Sequence, residues 1–297
     1  MRHTRPALSA GCATDLLIFI PWTTIPVDTG MVLCWSLSPR PIGGLLMSGA
    51  RDGAQDAGAT PGVTCSGNHV LDALDAAQAA LIRPHLEAAA LTAGSILCQT
   101  GQALPWVLFP CASAIVALVA LDHGGRTAEA ASIGAEGVVD GDLTELPGFG
   151  HLQVQISGPA LRIKAEILDG LAEADPGLRA LLTLHTRTLL VRALQAAVCA
   201  ALHPVEARTS RWLLTAQDRT GQPDLPVTQE MLAEMLGVRR TTVTRVISQL
   251  SDKGLIRHRR SLVTVIDRMG LEQAACGCHA ALMRRLRHLA PRIYGVG

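Results

Sequence analysis

The chain of 297 residues is 48% hydrophobic, 17% charged and 3% aromatic, a composition that suits a globular protein of two domains and is too apolar for wholesale disorder. No apolar run reaches the roughly 20 residues that a membrane helix needs, because the most hydrophobic early stretch is cut by Pro21, Pro26 and Asp28. A net charge near zero hides an asymmetry: residues 1–203 hold 11 basic and 17 acidic side chains and residues 204–297 hold 15 and 8, a balance of −6 followed by +7.

An arginine excess of this kind either forms a solvated face or meets a polyanion, with nucleic acid ahead of membrane. The eight cysteines show no C-x-x-C spacing, which argues against a zinc ribbon or a thioredoxin motif. A reducing cytoplasm is the expected setting.

Residues 1–67 carry five prolines before position 42 and a Gly, Ala, Ser and Thr-rich stretch, with no lasting period. They read as a disordered extension, a short signal-like segment, or a start placed too early, with Met47 an alternative beginning. From residue 68 to 174 the pattern is one of short helices followed by seven short apolar runs, at 86–91, 95–98, 106–109, 115–121, 127–133, 151–156 and 160–164, separated by glycine-rich turns. Strands at this spacing predict a β-roll or sandwich of the α+β class.

Asp175 followed by Pro176 marks a helix start, and residues 175–203 form one long helix whose leucines, Leu182 and Leu189 among them, repeat at three, four and seven. It is either a core helix or a dimerisation helix paired with its symmetry mate. Residues 204–280 then carry the most informative pattern. Thr228 caps a short helix, Gly237 makes a sharp turn, and a second helix follows from about Arg240 to Leu250 with Val243, Val246, Ile247 and Leu250 facing inward. Two short strands around Arg260 and Ser261 complete a winged helix-turn-helix. Residues 281–297 are a basic tail, read as a DNA-flank contact or a frayed end.

The stretch Leu225-Pro226-Val227-Thr228-Gln229-Glu230-Met231-Leu232-Ala233-Glu234-Met235-Leu236-Gly237-Val238-Arg239-Arg240-Thr241-Thr242-Val243 resembles the Crp/Fnr family of bacterial transcription regulators. The resemblance extends over about residues 68–279, and implies a β-roll effector domain, a dimerisation helix and a winged helix that binds palindromic double-stranded DNA as a homodimer. By match to the family motif, Arg240, Thr241 and Arg245 read base edges, Arg through bidentate bonds to guanine. Many relatives have Glu where Thr241 stands, so the preferred site departs from the familiar one. Thr228, Arg239, Thr242, Thr244, Arg257, His258, Arg259 and Arg260 are assigned to phosphates. RNA polymerase is a candidate further partner, and a membrane is not.

Gly134, Glu136 and Gly137 are the candidate effector-pocket residues, but no arginine follows them before Arg162, and Asp140 and Asp142 repel phosphate. The pattern argues against a cyclic nucleotide and leaves the effector open, with no cofactor assigned. Cys12, Cys34 and Cys65 are too dispersed for an iron–sulfur cluster. Cys276-Gly277-Cys278-His279 looks like a metal motif, yet on a helix residues two apart diverge by about 200°, so no metal is assigned. No G-x-S-x-G or other nucleophile motif supports an enzyme.

Overall fold

The computed structural model describes residues 67–140 and 150–295; the extension at 1–66 and Asp142 lie outside the described residues. Two short helices, α1 (His69–Asp72) and α2 (Ala76–Ile82), lead into seven strands: β1 (Glu87–Leu91), β2 (Ile96–Cys98), β3 (Trp106–Pro110), β4 (Ile115–Leu121), β5 (Thr127–Ile133), β6 (Gly150–Ile156) and β7 (Gly158–Lys164). All pairings are antiparallel, in one sheet of order β1-β7-β3 and another of order β2-β6-β4-β5. Leu91 and Leu108 of the first sheet meet Val116, Leu118, Leu152 and Val154 of the second in a shared core. The roll expected from the strand spacing is therefore present, and each expected apolar run lies on one of its strands.

Strand β4 reads Ile-Val-Ala-Leu-Val-Ala-Leu without polar alternation because both of its faces are covered. Val116 and Leu118 point into the roll, while Ala117 and Val119 pack against Met235 of the C-terminal domain.

Helix α3 (Ala165–Ala174), which the sequence reading did not separate, precedes the long helix α4 (Pro176–Leu202). Asp175 caps α4 by accepting the Leu178 amide, and Pro176 opens it. Leu178, Leu181, His185, Leu189, Gln195 and Cys199 form its buried face. The opposite face is different: Leu190, Leu194, Val198 and Leu202, four residues apart, are 59%, 59%, 49% and 73% exposed. Leu189, expected with Leu182 at a partner contact, is instead buried, whereas Leu182 is half-buried. At 100° per residue, Leu189 turns into the core of its own roll, and Leu182 packs beside α3 and the chain's last helices.

The C-terminal domain comprises α5 (Val205–Thr220), β8 (Asp224–Leu225), α6 (Gln229–Leu236), α7 (Arg240–Asp252), β9 (Ile256–Arg259), β10 (Leu262–Val265) and α8 (Arg268–Ala274). Trp212, Leu213, Leu232, Leu236, Val243, Ile247, Leu250 and Val263 build its core. The remaining residues correct a second expectation, because they are not a frayed basic end. Helix α9 (Cys278–Leu289) lies along α4 and is followed by α10 (Pro291–Tyr294). Leu282, Leu286, Ile293 and Tyr294 are buried with Val70, Ile82 and Leu178. The arginines lie on the solvent side of an amphipathic helix whose leucines are buried with residues of α1, α2 and α4.

Candidate nucleic-acid interface

The helix-turn-helix follows from local chemistry. Thr228 Oγ1 accepts the Met231 amide at 3.1 Å and starts α6. At its other end Gly237 sits at φ +64°, and the amides of Gly237 and Val238 return to the carbonyls of Glu234 and Ala233. That is a Schellman closure, which strongly favours glycine in the left-handed position. Ala233, buried and small, lets α6 and α7 approach, and Arg208 donates to the last carbonyl of α6, Leu236 O, at 2.6 Å.

Val243, Val246, Ile247 and Leu250 anchor α7 from beneath, so its outer face carries Arg240, Thr241, Thr244 and Arg245, all exposed, beside exposed Arg239. Thr242 is half-buried. The wing brings His258, Arg259, Arg260 and Ser261 to a groove of about 590 Å³ shared with Thr228, Gln229, Glu230 and Arg240. Five of the eleven residues singled out for DNA, namely Thr228, Arg240, His258, Arg259 and Arg260, line this one groove. Arg239, Thr241, Thr242, Thr244, Arg245 and Arg257 are not among its walls, and Arg257 stands on β9 opposite Thr264.

Some of these groups already have partners. Arg240 forms an exposed 3.4 Å ion pair with Glu230, and the Thr244 hydroxyl has Gln229 Oε1 at 2.7 Å and the Arg240 carbonyl at 3.1 Å as acceptors. The Arg240–Glu230 pair lies open to solvent and is weak, so the guanidinium exchanges it readily for another anion. Thr228 spends its oxygen as an acceptor at the cap and keeps its hydroxyl proton to donate.

Gly134, Glu136 and Gly137 lie together at one buried turn of the roll, where the cluster acts as a junction. Glu136 Oε1 receives Arg192 of α4 at 3.0 Å and Arg219 of α5 at 2.8 Å, with the Gly134 amide at 3.3 Å. Burial alone raises the Glu136 carboxyl, but the two guanidinium charges outweigh it and hold it at about 2. Arg219 also donates to Ser132 Oγ and Ser132 O, and Trp212 Nε1 donates to Glu129 Oε2 at 2.9 Å. Gly137 has to be small, since a Cβ there would fall 2.7 Å from the His185 ring.

The His185 Nε2 lies 2.9 Å from Val138 O, and burial holds its imidazole down at about 4. The partners Glu129, Arg192, Arg219 and His185 were not singled out in the sequence. The only signal for Arg192 and His185 is their place on the buried face of an otherwise leucine-lined helix. Beside this turn is a cavity of about 640 Å³, bounded by Trp106, Val138, Lys164, Arg179, Leu182 and His185.

The helical premise used for the two C-terminal cysteines does not hold. Helix α8 ends at Ala274 and α9 begins at Cys278, so Cys276 lies in the connection between them. Both sulfurs turn toward the end of α4. His279 instead meets Asp218 at 2.7 Å.

Residues 207–274 match the model of the Crp-like helix-turn-helix domain family. A comparison with curated protein sequences gave no match. Among solved structures, a transcriptional regulator of the Crp/Fnr family from Eubacterium rectale is similar, at 19% identity and TM-score 0.54 over 68% of this chain and 94% of that one. FixK2 from Bradyrhizobium japonicum is 17% identical with TM-score 0.55, covering 64% and 98%. A CRP/FNR-family regulator of Thermus thermophilus is 21% identical with TM-score 0.51, covering 64% and 98%. The fold is thus Crp/Fnr-like, with a β-rich N-terminal domain and a C-terminal helix-turn-helix. Among the described residues no helix is long and apolar enough to cross a membrane.

Proposed function

We propose that this chain is a DNA-binding transcription regulator that acts as a homodimer on a palindromic operator, under control of an effector taken up by the β-roll. One observation carries the reading: α7 presents Arg240, Thr241 and Arg245 to solvent beside a groove walled by the basic wing, Arg259 and Arg260. An exposed helix face of this kind fits the major groove, with the wing on the flanking backbone. The free stripe Leu190, Leu194, Val198 and Leu202 supports a second copy as partner, since an exposed i, i+4 apolar row is the ridge by which one helix packs into the groove of another. Two readers related by such a seam meet half-sites about one helical turn, ~34 Å, apart.

Arg240 and Arg245 read bases in this scheme, and Arg239, Arg257, Arg259 and Arg260 hold phosphates. The cavity of about 640 Å³ at the roll's edge has the volume of a small-molecule site and is the place for the effector.

The test is selection of bound fragments from random DNA, followed by gel shifts at rising salt. Phosphate neutralisation makes binding fall steeply with salt, and Arg259→Ala lowers that slope on all sequences. Arg240→Ala costs about 1 to 3 kcal/mol on the selected site and relaxes its preference there. A flat salt response would favour the rival reading, a ligand-binding module whose winged helix contacts protein.

A further inference from the structure

At the joint between α4 and the C-terminal domain four donors converge. Cys199 and His203 are four residues apart at the end of α4, where His203 is the capping residue before the turn into α5. Cys276 arrives from the connection between α8 and α9, and Cys278 is the first residue of α9. The ligand atoms of the four, three sulfurs and one imidazole nitrogen, all lie within 4.8 Å of one another, and the three cysteines are buried. Cys199 Sγ is 3.4 Å from Cys276 Sγ, and Cys278 Sγ is 3.5 Å from His203 Nδ1.

We propose that Cys199, His203, Cys276 and Cys278 form a binding site for one thiophilic divalent cation of the Zn²⁺ class. Tetrahedral zinc with sulfur at about 2.3 Å and nitrogen near 2.0 Å sets its ligand atoms roughly 3.5–3.8 Å apart. Two pairs already stand close to that spacing, and the rest need only a small contraction. A four-iron cluster does not fit, because its thiolates bind different irons and need wider separation.

The surroundings match a metal thiolate centre. Gln195 Nε2 donates toward Cys278 Sγ at 3.2 Å, and Arg285 holds the other end of that amide, at Oε1, at 2.7 Å. The guanidinium groups of Arg211 and Arg208 lie close enough to the Cys199 sulfur to act on its charge. Three thiolates around a dication leave one net negative charge, which these arginines offset. Such outer partners orient ligands and stabilise the complex. On binding, three thiol protons leave to solvent and no oxidation state changes.

A disulfide between Cys199 and Cys276 is the competing chemistry. It would use two of the four donors and give no reason for His203 and Cys278 to converge on the same point. An ion here also has a mechanical effect, since it fastens the last turn of α4 to the segment leaving the winged helix.

The decisive experiment is titration of the full, reduced chain with Co²⁺. Uptake of one equivalent with strong visible absorption and thiolate charge-transfer bands, displaced by Zn²⁺, is the expected result. Cys276→Ser and His203→Gln each weaken uptake by at least about 100-fold in competition with a chelator, whereas His279→Gln, whose ring is held by Asp218, leaves it unchanged. Absence of these bands in wild-type protein with titratable thiols overturns the site. So does an unchanged spectrum in Cys276→Ser, or a Cys199–Cys276 disulfide in protein prepared without oxygen. None of these readouts involves DNA, so the site stands or falls separately from the proposed regulatory function.

Discussion

Replacing Glu136 by Gln keeps the shape of the side chain and removes the one charge that Arg192 and Arg219 share. With the carboxyl held at about 2 against an ordinary 4.5, its surroundings favour the charged form by roughly 3 kcal/mol at about 1.4 kcal/mol per pH unit. A second route gives a similar figure. The three side chains are only 10%, 12% and 7% exposed, and removing one partner from a buried ion pair costs about 3 to 5 kcal/mol because the remaining charge stays desolvated.

Urea unfolding followed by far-ultraviolet dichroism should therefore show Glu136→Gln less stable by about 3 kcal/mol near neutral pH. Adding Arg219→Gln should recover part of the loss, the mark of a coupled pair. A loss below about 1 kcal/mol would place the junction with exposed pairs and refute the argument. The same linkage predicts that the wild type sheds this contribution as pH falls from 4.5 toward 2, where the carboxylate takes up its proton.

The buried His185 acts in a different pH window. The unfolded chain binds its proton near 6.5 and the folded protein only near 4, so stability declines as pH falls through that interval, by up to about 3 kcal/mol. Unfolding measured from about pH 7 to 4 should show this slope in wild type and a flatter one in His185→Gln; equal slopes would count against it. Leu194→Glu, in the middle of the exposed stripe, should convert a sedimenting dimer to monomer and abolish operator binding while leaving the thermal transition within a few degrees of wild type. A dimer that survives this change would move the partner surface elsewhere.

Much of the architecture was legible because its signals are local. Strand spacing, the Asp175-Pro176 start and the Thr228 to Gly237 capping pattern each depend on a few neighbouring residues. The corrected points depend on contacts remote in sequence. A leucine repeat locates the apolar residues of α4 but cannot say which row meets the chain's own sheet, so Leu189 and Leu190 were indistinguishable. The glycine-rich turn around Glu136 invited a ligand reading, because its true counterions stand 56 and 83 residues downstream, at Arg192 and Arg219. The helical premise for Cys276 and Cys278 failed at a helix boundary, and their nearness to Cys199 and His203 on a distant helix leaves no local trace.

The packing of α9 and α10 has a consequence for biosynthesis. Ile293 and Tyr294 sit in the same apolar cluster as Val70 and Ile82, more than 200 positions earlier in the chain. A ribosome has thus translated nearly everything described here before that cluster can be completed, whereas the core between the two sheets of the roll draws on none of those last residues. A truncation before Ile293 would therefore uncover Val70 and Ile82 at the opposite end of the chain while leaving the inter-sheet core intact.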